Sequence, residues 1–165
     1  MTIRPATATD ADDIWRIFHA VVATGDTYVF APDTGRNDAR DYFLGPGIAS
    51  WVAIVEGRVV GMYKLIPNMP GLGSHVANAS FMVDPAAQGT GVGRAMGEHC
   101  LQEVRRAGYR AMQLNFVVST NAAAVSLWQN LGFAIVGTLP RAFHHARLGY
   151  VDAYVMHRFL DDVQA

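Results

Sequence analysis

The 165-residue chain carries little net charge, a single cysteine and no long apolar run. A formal charge of −1 offers no basic surface to nucleic acid or to an anionic membrane, so we expect neither as a partner. Cys100 alone cannot form an internal disulfide, and no cluster of metal-ligating residues surrounds it, so we expect no bound metal. No apolar run approaches the ~20 residues of a membrane span, and the first residues lack an apolar signal core, which makes the cytoplasm the expected location.

What the chain does contain is typical of a folded globular protein, since 51% of its residues are apolar and 16% are charged. Its length suits one domain, which we expect to span residues 1–165. Strands come early, followed by a strand–helix–strand–helix–strand order without internal repeats. That order predicts an α/β fold in which helices cover both faces of one sheet.

Hydrophobic periodicity and turn residues give the predicted bounds of the elements. A first helix is expected to begin at the cap residue Thr9, and a second to cover residues 38–44. Between the last two strands, a long loop would hold His144, His145 and Tyr150. Strands are predicted over residues 2–6, 50–55, 59–66, 75–83, 111–118, 133–139 and 152–159.

A glycine-rich segment, residues 88–94, lies between a predicted strand and a predicted helix. Its alternating glycines, Gly89, Gly91 and Gly93, let the backbone approach a bulky anion and adopt angles that a Cβ forbids. The free N–H groups of the first helical turn then point at phosphate oxygens, and the helix dipole adds roughly 0.3–1 kcal/mol. Arg94 in that turn could add a charge contact. The segment therefore predicts a pyrophosphate site.

Three other interpretations compete for this segment. A Walker loop requires Lys followed by Ser or Thr after the last glycine, but Arg94 and Ala95 stand there. A dinucleotide-binding fingerprint usually lies in the first strand–helix unit of a parallel sheet, whereas this segment lies in the second half of the chain. A tight turn with close helix packing stays open as a purely structural explanation.

Residues 88–93, Gln-Gly-Thr-Gly-Val-Gly, resemble the Gln/Arg-x-x-Gly-x-Gly/Ala signature of the GCN5-related N-acetyltransferases. Residues 81–85 resemble the strand that ends in that family's V-x-P, and Asn121, opening a helix that ends in residues 131–133, is similar to its second landmark. The order of elements matches over essentially the whole chain. The resemblance implies a single mixed, mostly antiparallel sheet splayed at its middle strands, with acetyl-CoA as co-substrate. The family often dimerises, and the apolar C-terminal strand could serve as a homodimer contact.

The resemblance also implies which residues bind the coenzyme. Backbone amides of the glycine-rich segment would hold the pyrophosphate, and the preceding strand would pair with the pantetheine arm. The amide of Met82 or Val83 would polarise the thioester carbonyl, and Asn121 would touch the pantetheine or its water. The full set of expected coenzyme-binding residues is Phe81, Met82, Val83, Gln88, Gly89, Thr90, Gly91, Val92, Gly93, Arg94, Asn121 and Ala124.

The sequence departs from the family pattern where protons are handled. Many members carry a Tyr general acid in a Leu-Tyr-x-x-x-Gly-Phe context, but Trp128 takes that place here and cannot donate a comparable proton. The strand at residues 75–83 contains no Glu to act as a base. The expected catalytic set is therefore Asn78, Asn115 and the backbone of Met82.

Asn78 and Asn115 are also candidates for the substrate site. Residues 115–121 resemble the N-F-V-x-x-x-N stretch of fungal acetyltransferases that modify proline analogues such as azetidine-2-carboxylate. That resemblance implies that a strand asparagine binds or orients the substrate. The alternative is that backbone groups satisfy both amides, because a buried amide without partners costs of order 1–3 kcal/mol.

The remaining substrate-site candidates are Tyr28, Val29 and Phe30, which the resemblance places against the acceptor, and His145. Core packing explains the first three equally well. His145 would be the base if it reached the gap, because histidine titrates near pH ~6.5, and a solvated surface histidine is the alternative.

Together these features predict an N-acetyltransferase that acts on a small amine, such as an amino acid or imino acid, by direct attack in a ternary complex. A non-catalytic acyl-CoA sensor is the alternative from another class, suggested by the missing Tyr and Glu. A protein N-acetyltransferase is the third.

Overall fold

The computed structural model describes residues 1–163 and contains one seven-stranded sheet in the order β1-β2-β3-β4-β5-β7-β6. The strands are β1 (Thr2–Pro5), β2 (Ala49–Val55), β3 (Arg58–Pro67), β4 (Val76–Val83), β5 (Ala111–Val118), β6 (Ala134–His145) and β7 (Gly149–Phe159). The α-helices are α1 (Ala11–Val22), α2 (Arg36–Leu44), α3 (Val92–Arg106) and α4 (Ala122–Asn130). Short 3₁₀ helices cover Ala8–Asp10, Gly71–Gly73 and Pro85–Ala87.

The sheet opens between its two central strands. β4 and β5 are parallel and pair only at Val76 with Ala111 and Ala77 with Met112, while every other neighbouring pair of strands is antiparallel. Both strands continue beyond that contact, β4 to Val83 and β5 to Val118, so they diverge. This confirms the predicted mixed, mostly antiparallel sheet with splayed middle strands. We call the space between the diverging strands the gap.

Two hydrophobic clusters cover the two faces of the sheet. On one face, α1 and α2 bury Phe18 and Phe43 against β3 and β4, and this is called the α1/α2 face below. On the other, α3 and α4 bury Met96, Cys100 and Trp128. Each helix presents an apolar stripe at helical spacing, which is why burial on the sheet stabilises it. Helices on both faces were predicted, and the fold confirms them.

The helix starts differ from the predicted ones. Thr9 does not cap α1, because a 3₁₀ turn capped by Thr7 precedes that helix, and Asp10 Oδ2 accepts from the Thr7 N–H at 2.7 Å. Arg4 also donates to Asp10 and holds the pKa of that carboxyl down at about 2. α2 begins at Arg36, two residues earlier than predicted.

The long loop predicted between the last two strands is also wrong. β6 runs through Pro140 to His145, so only three residues separate it from β7. β6 is an edge strand, where a proline costs little, and its register with β7 shifts between Leu139 and Phe143. Arg141 lies at the shift with φ of +51°, and its N–H donates to Asp152 Oδ1 at 2.9 Å. The predicted strand ended at residue 139 because Pro140 and the irregular register interrupt the alternation of apolar and polar residues.

Among residues 1–163, no helix combines the length and apolar character needed to cross a membrane. The same part of the chain holds no group of three or more His, Cys, Asp or Glu side chains placed to bind a metal ion.

Candidate active site

The hydrogen-bond register between β3 and β4 determines which backbone groups of β4 face the gap. Paired residues in an antiparallel ladder alternate between hydrogen-bonded and non-hydrogen-bonded pairs. Asp84 N donates to Val60 O at 2.8 Å, and Asn68 N donates to Val76 O at 2.8 Å, with no register shift between these two ends. The even-numbered residues of β4 therefore bond to β3, and the odd-numbered residues point to the β5 side.

It follows that the backbone groups of Ala79, Phe81 and Val83 line the gap, since β5 has diverged from β4 at their level. We call them the open edge. The backbone of Met82 pairs with Met62 instead, and its side chain is 2% exposed beneath α1. The expectation that the Met82 amide acts as the carbonyl donor is therefore not supported. The direction of the Met82 amide depends on how β4 is paired with β3, and the sequence of β4 alone does not specify that pairing.

Beyond β4, the chain enters the glycine-rich segment through Asp84. Asp84 Oδ1 accepts from Ala86 N at 3.0 Å, and the carboxylate forms ion pairs with Arg16 of α1 and with Arg58. These bonds fix the end of β4 relative to α1 and so determine where the segment starts.

The glycine-rich segment presents free N–H groups at the start of α3. Gly89 and Gly91 have φ of +76° and +91°, angles that disfavour any residue with a Cβ, and Gly91 is the N-cap of α3. The N–H groups of Val92, Gly93 and Arg94 have no acceptor within the helix, because the first intrahelical bond runs from Ala95 N to Gly91 O. A helix N-terminus of this kind is suited to a phosphate. The coenzyme's pyrophosphate therefore fits the residues present.

The side chains of this segment contribute less than its backbone. Val92 is buried in the core, and Thr90 Oγ1 donates to Ala87 O at 2.6 Å. Arg94 donates to Glu98 at 2.8 Å in an exposed pair that is worth little and can be exchanged for a phosphate. A Cβ on Gly93 would lie at ordinary contact distance, 3.5 Å, from Leu127 Cδ2, so packing of α3 on α4 does not require a glycine there. The packing explanation therefore applies to Val92, and the positive φ angles account for Gly89 and Gly91.

α4 begins on the far side of the gap at Asn121, as predicted. Its Oδ1 accepts from Ala124 N at 3.1 Å, so the two residues expected at the pantetheine form the cap of this helix. Trp128 on α4 is 7% exposed, with its ring 4.7 Å from the Phe81 ring and 5.7 Å from the Phe133 ring between centroids. Trp128 is therefore a core residue at the position where the family commonly has a tyrosine acid.

Asn78 lies where the strands begin to separate. Its Nδ2 donates to Gln113 O of β5 at 2.9 Å, which bridges the two strands at the apex of the gap. Since the carbonyl accepts, the amide nitrogen must face it and Oδ1 faces away. Asn78 is therefore satisfied by the backbone and lies at the gap as well, so the two alternatives do not exclude each other.

Asn115 lies further along β5 and is exposed. Its Oδ1 accepts from Gln113 Nε2 at 2.8 Å, and its Nδ2 donates to Asn68 Oδ1 at 2.7 Å. Gln113 thus joins the two predicted asparagines, one through its carbonyl and the other through its side chain. Asn115 belongs to a chain of side-chain amides that links β5 to the end of β3.

Tyr28 lies in the connection between α1 and α2, residues 23–35, which we call the α1–α2 segment. It connects this segment to the open edge, because its hydroxyl donates to Phe81 O at 2.5 Å. Burial raises the pKa of Tyr28 far above its ordinary value, so this hydroxyl is a hydrogen-bond donor and not a proton source. The Phe30 ring packs between Phe18 and Tyr42, at centroid distances of 5.1 and 4.9 Å. Val29 is 64% exposed and points away from this cluster.

The end of the β6–β7 hairpin contacts the α1–α2 segment, where Ala146 N donates to Gly25 O at 2.9 Å. His145 is 5% exposed there, and its Nδ1 accepts from the N–H groups of Arg147 and Leu148 at 3.1 and 3.3 Å. The predicted position of His145 in a long loop is wrong because the hairpin continues to this residue. Its Nδ1 lone pair closes the turn, so that nitrogen does not serve as a base.

Lys64 lies at the site although the sequence patterns did not predict it. It is 6% exposed on β3, directly opposite Ser80 of β4, and its Nζ lies 3.2 Å from the centroid of the Tyr42 ring. Burial lowers the pKa of Lys64 to about 8. It is the only lysine in the chain and lies inside a strand that is free of other charges after Arg58 at its start, and that isolated charge was the signal that could have identified it.

Comparison with known proteins agrees with this geometry. The chain matches the Acetyltransferase (GNAT) family over residues 13–133. It is 28% identical over 151 residues to N-acetyltransferase aca1 of Schizosaccharomyces pombe, covering 81% of this chain and 72% of that protein. A GCN5-related N-acetyltransferase from Kribbella flavida is similar with a TM-score of 0.91 and 44% identity, covering 96% of each chain. Salmonella typhimurium yncA, solved with acetyl-CoA, gives a TM-score of 0.82 at 26% identity over 100% of this chain and 96% of that one.

The family match spans most of the chain, and the open edge and the glycine-rich segment present backbone groups that have no partner within their own elements. The chain therefore belongs to the acetyltransferase (GNAT) family, as an acetyl-CoA-dependent acyltransferase.

Proposed function

We propose that this protein moves the acetyl group of acetyl-CoA to the amine of a small molecule, such as an amino acid, an imino acid or a related amine, in a ternary complex. The observation that supports it most is the open edge of β4, which leads from the glycine-rich segment to the Tyr28 hydroxyl. One end of that edge suits the coenzyme, and the other meets polar and aromatic side chains on the α1/α2 face.

On the donor side, the proposal assigns the work to backbone groups. The N–H groups at the start of α3 hold the pyrophosphate, and the open edge pairs with the pantetheine amides. The N–H of Phe81 or Val83 polarises the thioester carbonyl, because these amides face the gap and the Met82 amide does not. Acetyl-CoA supplies the activated acetyl group.

On the acceptor side, the amine must lose its proton before it attacks. An ordinary amine with a pKa of ~10 is about 0.1% neutral at pH 7, a handicap of roughly 4 kcal/mol. Enclosure among Tyr28, Phe30 and Tyr42 disfavours the charged ammonium, as burial does for any cation. Asn78 Oδ1, which faces away from Gln113, accepts a hydrogen bond from the amine or from a water that carries its proton.

Coenzyme binding tests the donor half. A Cβ on Gly91 would meet no protein atom within 4 Å, so a side chain there extends into the open space at the start of α3. Gly91→Val should weaken binding of acetyl-CoA at least ~10-fold in calorimetry. Gly108→Val is the matched control, because Gly108 follows the opposite end of α3 with φ of +85° and equally open surroundings. Equal affinity of the two variants would contradict the assignment.

A non-catalytic acyl-CoA sensor is the second candidate. It is favoured by Trp128, which fills the core where the family commonly has a proton donor. Release of free thiol from acetyl-CoA, measured against a library of amines, separates the two functions. Coenzyme binding without turnover on any acceptor would support the sensor.

A further inference from the structure

Lys64, Tyr42 and Ser80 form a polar cluster within the apolar packing of the α1/α2 face, called the Lys64 cluster here. Lys64 and Ser80 are cross-strand neighbours on β3 and β4. Tyr42 of α2 covers both, since its ring faces Nζ at 3.2 Å and its hydroxyl lies 2.7 Å from Ser80 Oγ. The cluster therefore joins three separate elements above the middle of the sheet.

The cluster contains more hydrogen-bond donors than acceptors. Tyr42 and Ser80 have two hydroxyl hydrogens but share one hydrogen bond, so one hydrogen is left to donate. The Lys64 ammonium carries three further donors, and none of the hydrogen bonds formed within residues 1–163 involves it. Its Nζ faces the Tyr42 ring and is not wholly enclosed by protein, so a ligand can reach it. A site rich in donors is complementary to an anion.

No carboxylate of the described chain neutralises Lys64. Every ion pair formed within residues 1–163 uses an arginine. Burial is the sole cause that lowers the pKa of Lys64, so no acidic neighbour offsets it. The Tyr42 ring compensates only part of the cost of burying a cation. An anionic ligand would remove the remaining cost.

The position of the cluster indicates which molecule brings the anion. Ser80 immediately precedes Phe81, whose backbone belongs to the open edge. The pyrophosphate site at the start of α3 lies against the opposite face of the sheet, where α3 packs. The anion therefore belongs to the acceptor and not to the coenzyme phosphates. One residue along a strand corresponds to ~3.3 Å, so this anion lies close to the reacting amine.

We propose that the Lys64 cluster binds the carboxylate of the acceptor, and that the acceptor is an α-amino or α-imino acid. In such a molecule only two bonds separate the amine nitrogen from the carboxylate carbon, which matches the one-residue offset between Ser80 and Phe81. Lys64 is then a specificity-determining residue, with Tyr42 and Ser80 as positioning residues. This assignment rests on the proposed function and deepens it.

The first experiment measures how strongly the enzyme discriminates between acids and amides. A panel of α-amino and α-imino acids, each paired with its own carboxamide, is assayed with acetyl-CoA. The wild-type protein should favour the acid at least ~100-fold in kcat/KM, since a site built for a charged group rejects an analogue that lacks it. Lys64→Met, similar in length but uncharged, should lower this acid-to-amide ratio at least ~10-fold, through the acceptor KM. Lys64→Arg should retain part of it.

A ratio that Lys64→Met leaves unchanged would overturn the proposal, and so would a wild-type protein that prefers the amides. Tyr42→Phe serves as the matched variant, because it keeps the ring beneath Lys64 and removes only the hydroxyl. Tyr42→Phe should lower the acid-to-amide ratio of kcat/KM by less than Lys64→Met does.

The second experiment separates failure of the proposal from failure of the proposed function. Because Lys64 is the only lysine, isotope labelling of the lysine side chain gives a single NMR signal. The chemical shift of that signal, followed as a function of pH, yields the pKa of the Lys64 ammonium. Carboxylate members of the panel should raise that pKa, and their carboxamides should not. If no acceptor is acetylated but the pKa rises, the proposed function fails while the anion site stands. If no carboxylate changes the pKa, the anion site is refuted whatever the turnover.

Discussion

Under the proposed function, the two sides of the gap recognise their ligands by different means. The donor side consists of backbone groups, the open edge of β4 and the first turn of α3. The acceptor side consists of side chains from separate elements, namely Tyr28, Tyr42, Lys64 and Asn78. A backbone surface accepts many side-chain changes and suits a coenzyme that is common to a family. A side-chain surface can change with each substitution and suits an acceptor that differs among its members.

The largest effect on stability is expected at Lys64, because the acceptor side contains a largely buried cation without an acidic partner and the donor side does not. Lys64→Met should raise the free energy of unfolding at pH 7 by roughly 1–3 kcal/mol, although it impairs acceptor binding. Urea unfolding of both proteins measures the difference. A variant less stable than the wild type would show that the charge is already compensated.

The difference in free energy of unfolding between the wild type and Lys64→Met should depend on pH. Burial lowers the pKa of Lys64 from 10.5 to about 8, so between these values the unfolded chain binds more protons than the folded one. The stability of the wild type relative to Lys64→Met should therefore rise across this window, and the advantage of the variant should shrink. A constant difference from pH 7 to pH 10 would contradict the lowered pKa.

An intermediate effect is expected at Tyr28, the acceptor-side residue whose hydroxyl bonds to the donor-side edge at Phe81 O. Tyr28→Phe should cost about 1 kcal/mol of stability through the lost hydrogen bond. Binding of acetyl-CoA should tighten about two- to fivefold, because Phe81 O becomes free to pair with the pantetheine. Calorimetry measures the affinity for acetyl-CoA. Tyr42→Phe is the control, because it loses a hydroxyl that is not bonded to the open edge. Weaker coenzyme binding would mean that the Tyr28 hydroxyl itself contacts the coenzyme.

The smallest effect is expected for a side chain of the donor side. Arg94→Ala should weaken binding of acetyl-CoA less than about threefold, since Arg94 is exposed and already paired with Glu98. Glu98→Gln, which leaves Arg94 without its partner, is the control and should not weaken binding. A loss above ~10-fold on Arg94→Ala would show that the donor side depends on a side chain after all.

The comparison also explains what could be predicted from the sequence. Gly89 and Gly91 were identifiable because local backbone geometry requires glycine there, and Asn121 because a helix start requires a cap. The direction of the Met82 amide depends on pairing with β3. Lys64 gains its surroundings from α2 and β4, far away in sequence. Local rules therefore recover the glycines and the helix cap of the donor side, and the family resemblance indicates Tyr28 and Asn78. Only the assembled fold reveals which amides of β4 face the gap and what surrounds Lys64.

The most direct measurement is a screen with radiolabelled acetyl-CoA against α-amino and α-imino acids, including proline analogues. We expect labelled N-acetyl product from at least one carboxylate-bearing amine with the wild type and with Gly108→Val, and at least ~10-fold less with Gly91→Val at acetyl-CoA concentrations below the wild-type KM. Tight coenzyme binding without labelled product from any member of the panel would contradict acetyl transfer to a small amino or imino acid.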